Sequence, residues 1–300
     1  SCSPGPATIW SRVMYVDTLP SEATPSVLPR MSGAARVCFV WKDGATRLAD
    51  LDQKTPLRVL FPQTSPGAPT LAAITTVSGG LVGGDTLAVN VSVGDGAAAV
   101  AIGQAAEKVY RSTGADSTVD VSLDVGGGGW LEWLPQETIL FDGARLARRT
   151  AADVDPAGQL LAGECVVFGR LASGEVMRRG FVSDRWEIRI GGRLEWADAL
   201  RVEHDIVAAL DNPAGFGGAR AYATAVYVGV DAKDHLSLAK ELTADCADVR
   251  AGATCRGQVL IARWLGAEPL AVRRGFEKYW TKLRQVAGGH TERLSRLWYV

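Results

Sequence analysis

The chain has 300 residues, is 47% hydrophobic and 22% charged, and carries a formal net charge of −1. Such a composition is that of an ordinary globular protein with room for one large domain or two small ones. Near-neutrality without a long Lys/Arg run argues against a nucleic-acid binder, and charged or glycine positions interrupt every apolar run before it reaches membrane-spanning length.

Residues 1 to 30 are rich in Ser, Pro, Thr and Ala and lack the basic start and continuous apolar core of a signal peptide. A poorly ordered tail is expected there, with a single domain over 31–300. Strands follow. VCFVW (37–41) and PLRVLF (56–61) are short and rich in β-branched or aromatic residues. LAVNVSV (87–93) and VDVSLDV (119–125) alternate with period two, placing Asp120, Ser122 and Asp124 opposite the apolar set. CVVFGR (165–170), RWEIRI (185–190) and ATAVYVGV (223–230) continue the series. Turn signals separate the strands, among them GDG (94–96), DVGGGG (124–129), FDG (141–143) and DPAG (155–158). Helical signal is confined to the last third. It is weak over 231–242 and strong over 268–289, where Phe276, Tyr279, Trp280 and Leu283 form one apolar stripe. A mainly β architecture of many short strands with about two C-terminal helices is expected. The stripe is expected to pack on the sheets rather than dock a partner.

Motifs that carry chemistry are few. SGGLVGGD (78–85) looks at first like a phosphate cradle. A P-loop needs GxxxxGK[ST], however, whereas here Asp85 follows the last glycine pair and 71–107 contains no Lys or Arg. A tight turn or bulge is the better reading. His204, His235 and His290 stand in no triad context, and no HxH, HExxH or CxxC spacing occurs. The five cysteines are odd in number, so no disulfide framework is expected and a reducing cytoplasm is. Cys38 and Cys165 read as buried apolar residues, while Cys246 and Cys255 could pair across a loop. The carboxylates are more informative. Glu132, Glu137 and Asp142 surround an apolar segment, and Glu164 lies in LLAGECVVF. An acid in an apolar strand must be paired, hydrogen-bonded or wet, and the nearby Arg145, Arg148, Arg149 and Arg170 offer pairing.

In order, SGGLVGGD (78–85), GQAAEKVYRSTG (103–114), LEWLPQETILFDGARLARRT (131–150), ECVVFGRLASGE (164–175) and the terminal RLSRLW (293–298) resemble the UreD family, also called UreH, of urease accessory proteins. The resemblance runs from about Ala35 to Trp298, and WLPQETILFDGA is its most specific segment. Ser295 departs from the proline frequent there. The resemblance implies an irregular, β-helix-like stack of strands and a nickel-delivery chaperone rather than an enzyme. It implies binding to urease apoprotein and to the helical partner UreF, which recruits the GTPase UreG, with no tightly bound cofactor and transient passage of Ni2+. On that basis Asp85, Glu137, Asp142 and Glu164 are expected to line or gate a nickel passage, and the RLSRLWYV end to contribute to partner docking. A second reading is a carboxylate-based hydrolase using a pair such as Glu132/Glu137. A third is a purely structural β-protein.

Overall fold

The computed structural model describes residues 30–299 apart from 66, 247 and 292, so residues 1–29 of the expected tail lie outside the described residues. Strands β4 (Thr70–Thr76), β5 (Thr86–Val93), β6 (Ala98–Gly103), β8 (Ser117–Val125), β9 (Trp130–Leu134), β11 (Arg145–Val154), β12 (Gln159–Phe168) and β13 (Arg179–Ile190) alternate between two sheets, A and B. Within sheet A, β5, β8, β11 and β13 pair in parallel; within sheet B, β4, β6, β9 and β12 do. Each coil therefore contributes one strand to each sheet, which is the β-helix-like stack that the family resemblance implies.

Antiparallel pairs close both ends of the stack. At one end are β1 (Ser32–Lys42) with β2 (Ala45–Lys54), and β3 (Leu57–Leu60) with β4. At the other are β13 with β14 (Arg193–Asp205), and β15 (Ala221–Val228), β16 (Val249–Arg256) and β17 (Val259–Gly266), which extend sheet B from β12. The expected strands overlap these elements: VCFVW lies in β1 and ATAVYVGV largely in β15, while PLRVLF overhangs β3 by a residue at each end and CVVFGR runs two residues past β12.

Sheet A alternates. On β8, Val121, Leu123 and Val125 are buried, whereas Asp120 and Asp124 are exposed. Sheet B is covered on both faces, so its strands read as near-continuous apolar runs; β9 (WLEWL) is buried at every position. One core fills the space between the sheets. A second lies between sheet B and two helices, α2 (Leu236–Ala244) and α3 (Pro269–Val286). Val272, Phe276, Tyr279, Trp280 and Leu283 of α3 are all 2% exposed or less. At about 1.5–3 kcal/mol per large side chain, this burial keeps the stripe on its own sheet. Gly163 makes the close approach possible, because a Cβ there would stand 2.8 Å from the Phe276 and Trp280 rings. A third helix, the six-residue α1 (Ile206–Asp211), escaped the sequence reading; the Asp205 carboxylate caps it by accepting from Ala208 N. Among the described residues, no helix is long and apolar enough to cross a membrane. Cys165 is buried, Cys38 is half-buried, and Cys246 and Cys255 are free thiols rather than a pair.

The two sides of the stack differ. The turns at 94–97, 126–129 and 155–158 run from sheet A to sheet B and are tight, with Gly96 N donating to Gly127 O and Gly128 N to Ala157 O. The return connections, 77–85, 104–116, 135–144 and 169–178, are longer and stack on one another. They include the short parallel strands β7 (Glu107–Val109) and β10 (Thr138–Leu140). The family motifs concentrate on this stacked-loop side.

Candidate functional site

The SGGLVGGD loop is one layer of the loop stack. Leu81 N donates to Lys108 O at 2.7 Å, and Leu81 O accepts from Tyr110 N at 2.8 Å. Gly80 has φ +137°, and a Cβ on it would meet Lys108 O at 2.5 Å. Glycine is required there because two backbones lie side by side. Asp85 is fully buried: Oδ1 accepts from Met31 N at 2.8 Å and Oδ2 from Val82 N at 2.9 Å. Its carboxylate ties the turn to the start of β1.

Below these loops, between the sheets, is a cavity of about 220 Å3, far above the ~10–15 Å3 that one water needs. Val89, Val121 and Leu146 of sheet A face Ile74 and Trp133 of sheet B across it. Its lining runs from exposed Gly79, Ala105 and Lys108 in the loop stack to buried Arg148 and Glu164. Glu107, Gln136 and Thr138 supply further polar groups along the way.

The inner end is an ion cluster inside the apolar core. Arg148 occupies an inward position of β11, in line with Leu146, Thr150 and Ala152. Its Nε and Nη2 donate to the two carboxylate oxygens of Asp184 at 3.0 and 2.7 Å, and Nη1 donates to Thr138 Oγ1 at 3.0 Å. Nη1 also pairs with Glu164 Oε2. Thr150 Oγ1 donates to Glu164 Oε1 at 2.8 Å, and Tyr222 donates to Asp184. Burial works against the guanidinium charge, yet Asp184 and Tyr222 hold the Arg148 pKa above its ordinary value. The Tyr222 hydroxyl is pushed well up, by burial first and then by the adjacent Asp184 charge.

Glu107, at the loop end of the cavity, is also perturbed. Burial raises its carboxyl above the ordinary 4.5, partly offset by the bond from Thr76 Oγ1 at 2.6 Å. The folded state therefore holds this proton more tightly than the unfolded chain, and stability from this group is present below pH 4.5 and lost as pH rises through the folded value. Glu107→Gln keeps an acceptor for Thr76 and removes the charge. It is expected to stabilise the protein at pH 7, with the gain shrinking toward zero near pH 4.5, as read by urea denaturation across that range.

Of the four carboxylates expected to line a passage, Glu164 alone reaches this cavity. Glu137 pairs with Arg273 of α3 and borders a separate pocket with Cys165, Tyr222 and Leu270. Burial pushes the Cys165 thiol far up, and the Glu137 charge adds to it. Asp142 sits at an open cleft. Its Oδ1 accepts from Arg178 N and Arg179 N at 2.7 and 3.0 Å, and these bonds overcome burial to hold the carboxyl below its ordinary value. The four are not brought together, and among the described residues no three His, Cys, Asp or Glu side chains converge as a metal-ligand group. Arginine pairing, expected as the alternative, holds for Glu164 with Arg148. Glu137 and Glu132 instead find Arg273 and Arg284, far along the chain. Glu132 faces the helix layer and Glu137 the Cys165 pocket, so the pair does not flank one cleft as two-carboxylate hydrolysis needs. Trp298 is fully buried: its ring stacks on Phe276 and lies under Arg273, while Tyr299 stays exposed.

Arg148, Asp184, Tyr222 and Glu107 were missed as site residues. The period-two pattern of β11 marks Arg148 as inward-facing, whereas Asp184 and Tyr222 meet it only through tertiary pairing.

The family model described as UreD urease accessory protein matches residues 31–299. "Urease accessory protein UreD" from Magnetococcus marinus is 42% identical over 287 residues, covering 94% of this chain and 98% of the relative. The proteins of the same name from Methylobacterium and Rhodopseudomonas palustris are 41% and 40% identical, covering 85% and 90% of this chain and 92% and 93% of their own lengths. With the match spanning nearly all described residues, from the first strand to the buried Trp298, the chain belongs to the UreD family of urease accessory proteins.

Proposed function

We propose that this chain is a cytoplasmic, non-enzymatic chaperone of urease maturation, acting as one domain over 31–300. In this reading it binds urease apoprotein, partners UreF and through it the GTPase UreG, and delivers nickel to the urease active site. Membership of the UreD family supports the urease role, and the observation that carries the nickel role is the inter-sheet cavity with Glu164 at its inner end. Hard oxygen donors hold nickel weakly, and a carrier must release its cargo. In this reading Glu107 at the outer end meets the ion, and Glu164, paired with Arg148, closes the inner end. Asp85, Glu137 and Asp142 act in this reading by shaping the loops around it.

The test is nickel-dependent urease activation in cells expressing the accessory proteins, with complex assembly followed by co-purification. Glu164→Gln is expected to lower activation several-fold with the complex intact. Asp85→Asn is expected to cost about 1–3 kcal/mol of stability, because an amide cannot accept both backbone N–H bonds. Full activation by the Asp85, Glu137, Asp142 and Glu164 amide variants together would sink the passage.

A further inference from the structure

The cleft holding Asp142 has a chemistry of its own. It is an open depression of about 960 Å3 where three layers of the loop stack meet β14. Four arginines line it: Arg111 after β7, Arg145 at the start of β11, and Arg178 and Arg179 at the start of β13. In a chain with a net charge of −1, this is a local concentration of positive charge.

Against these four guanidiniums the lining sets two carboxylates, Asp142 and Asp205, so arginine is in excess. The Asp142 carboxylate turns onto the Arg178 and Arg179 backbone amides and meets Arg111 only at 3.5 Å. Asp205 is engaged in capping α1. Arg145 pairs with Asp116 at 2.6 Å and lies over the Phe181 ring. Arg178 and Arg179 are exposed, as is the Arg111 side chain at 67%. Planar guanidinium forks suit carboxylates and phosphates alike, but the backbone here does not suit a phosphate. Gly114 N is bonded to Ser112 Oγ and Gly143 N to Arg179 O, so these glycine amides form no anion nest. The arginines come instead from successive layers, spread along the stack at the ~4.8 Å strand spacing. That spread fits several carboxylates on an extended chain better than one compact anion.

We propose that this cleft is a docking surface for an acidic segment of a partner protein, gripped by Arg178, Arg179 and Arg111 with Arg145 behind them. The site is distinct from the cavity, and it stands whether or not nickel passes through the protein.

The test uses the full chain and a fluorescein-labelled hexaglutamate peptide, followed by fluorescence anisotropy. Binding is expected at about 50 mM salt and weakens as salt rises. Arg178→Glu combined with Arg179→Glu is expected to weaken it about tenfold or more. Arg193→Glu, at an 81% exposed arginine on the remote β13–β14 turn, is expected to change it less than about twofold. Should the double variant not fold by thermal melting, Arg111→Glu serves in its place. The proposal is overturned by absence of peptide binding, by unchanged binding in the cleft variants, or by equal loss in Arg193→Glu. It is also overturned if pyrophosphate binds the cleft more tightly than the peptide, which would mark a phosphate site.

Discussion

Replacing Glu132 with alanine is expected to cost about 3–5 kcal/mol of unfolding free energy, because it leaves a buried arginine without its counter-charge. Glu132 is 0% exposed on the helix-facing side of β9. Arg284 donates to it through Nε and Nη2 at about 3 Å, Trp280 Nε1 donates at 2.8 Å and Trp130 Nε1 at 3.1 Å. Arg284 Nη1 in turn holds the carbonyls of Thr291 and Arg293 at 2.8 and 2.9 Å. One carboxylate thus orients two indoles and a guanidinium, and through the guanidinium the stretch after α3. Glu132→Met combined with Arg284→Met removes both charges and is expected to recover most of the loss, since an apolar pair of similar volume often replaces a buried ion pair at little cost. Urea denaturation of the two variants reads both numbers. A loss below about 1 kcal/mol in Glu132→Ala would mean that water reaches Arg284 and the pair behaves as a surface bridge.

Arg148→Met is expected to be as severe, and to carry a pH signature that Glu132→Ala lacks. It strands the Asp184 and Glu164 carboxylates, each 3% exposed or less, inside the inter-sheet core. The cost near pH 7 is again about 3–5 kcal/mol. Acidification protonates the stranded carboxyls and removes the buried charge, so the gap to the unaltered protein narrows as pH falls toward ~4. Denaturation curves at intervals across that range measure it. A pH-independent gap would show that lost packing, rather than stranded charge, dominates. Because Arg148 is also at the inner end of the cavity, loss of urease activation in this variant reads on the fold, whereas Glu164→Gln, with Asp184 still holding Arg148, reads on the passage.

The strands were legible in the sequence because their sides differ chemically. Sheet A shows period-two alternation in LAVNVSV and VDVSLDV, and sheet B shows runs such as CVVF that are apolar on both faces. The coil order was not legible from pattern, since a strand alternates alike whether its neighbour is parallel or antiparallel; it entered through the family resemblance. Asp85 was legible as a turn residue, its bond to Val82 N being local, but its grip on Met31 N spans 54 residues. The same limit hid the true partners of Glu132 and Glu137, which lie 152 and 136 residues downstream. The strong α3 stripe was read correctly as packing. Trp298 found its cover on that same helix rather than on a partner.

The two-faced character of sheet B bears on how the chain is made. Synthesis delivers the coils first, and until α3 leaves the ribosome only α2 is available to cover the outer face of sheet B and Glu132 has no cation. The larger part of the layer that covers it follows the last strand, in α3 and the stretch through Trp298. A nascent chain therefore spends most of its synthesis with an open apolar wall, and the closing event comes last. Loss of α3 and Trp298 would reach back through sheet B to the first coils, as removing the keystone of an arch unloads stones laid long before it.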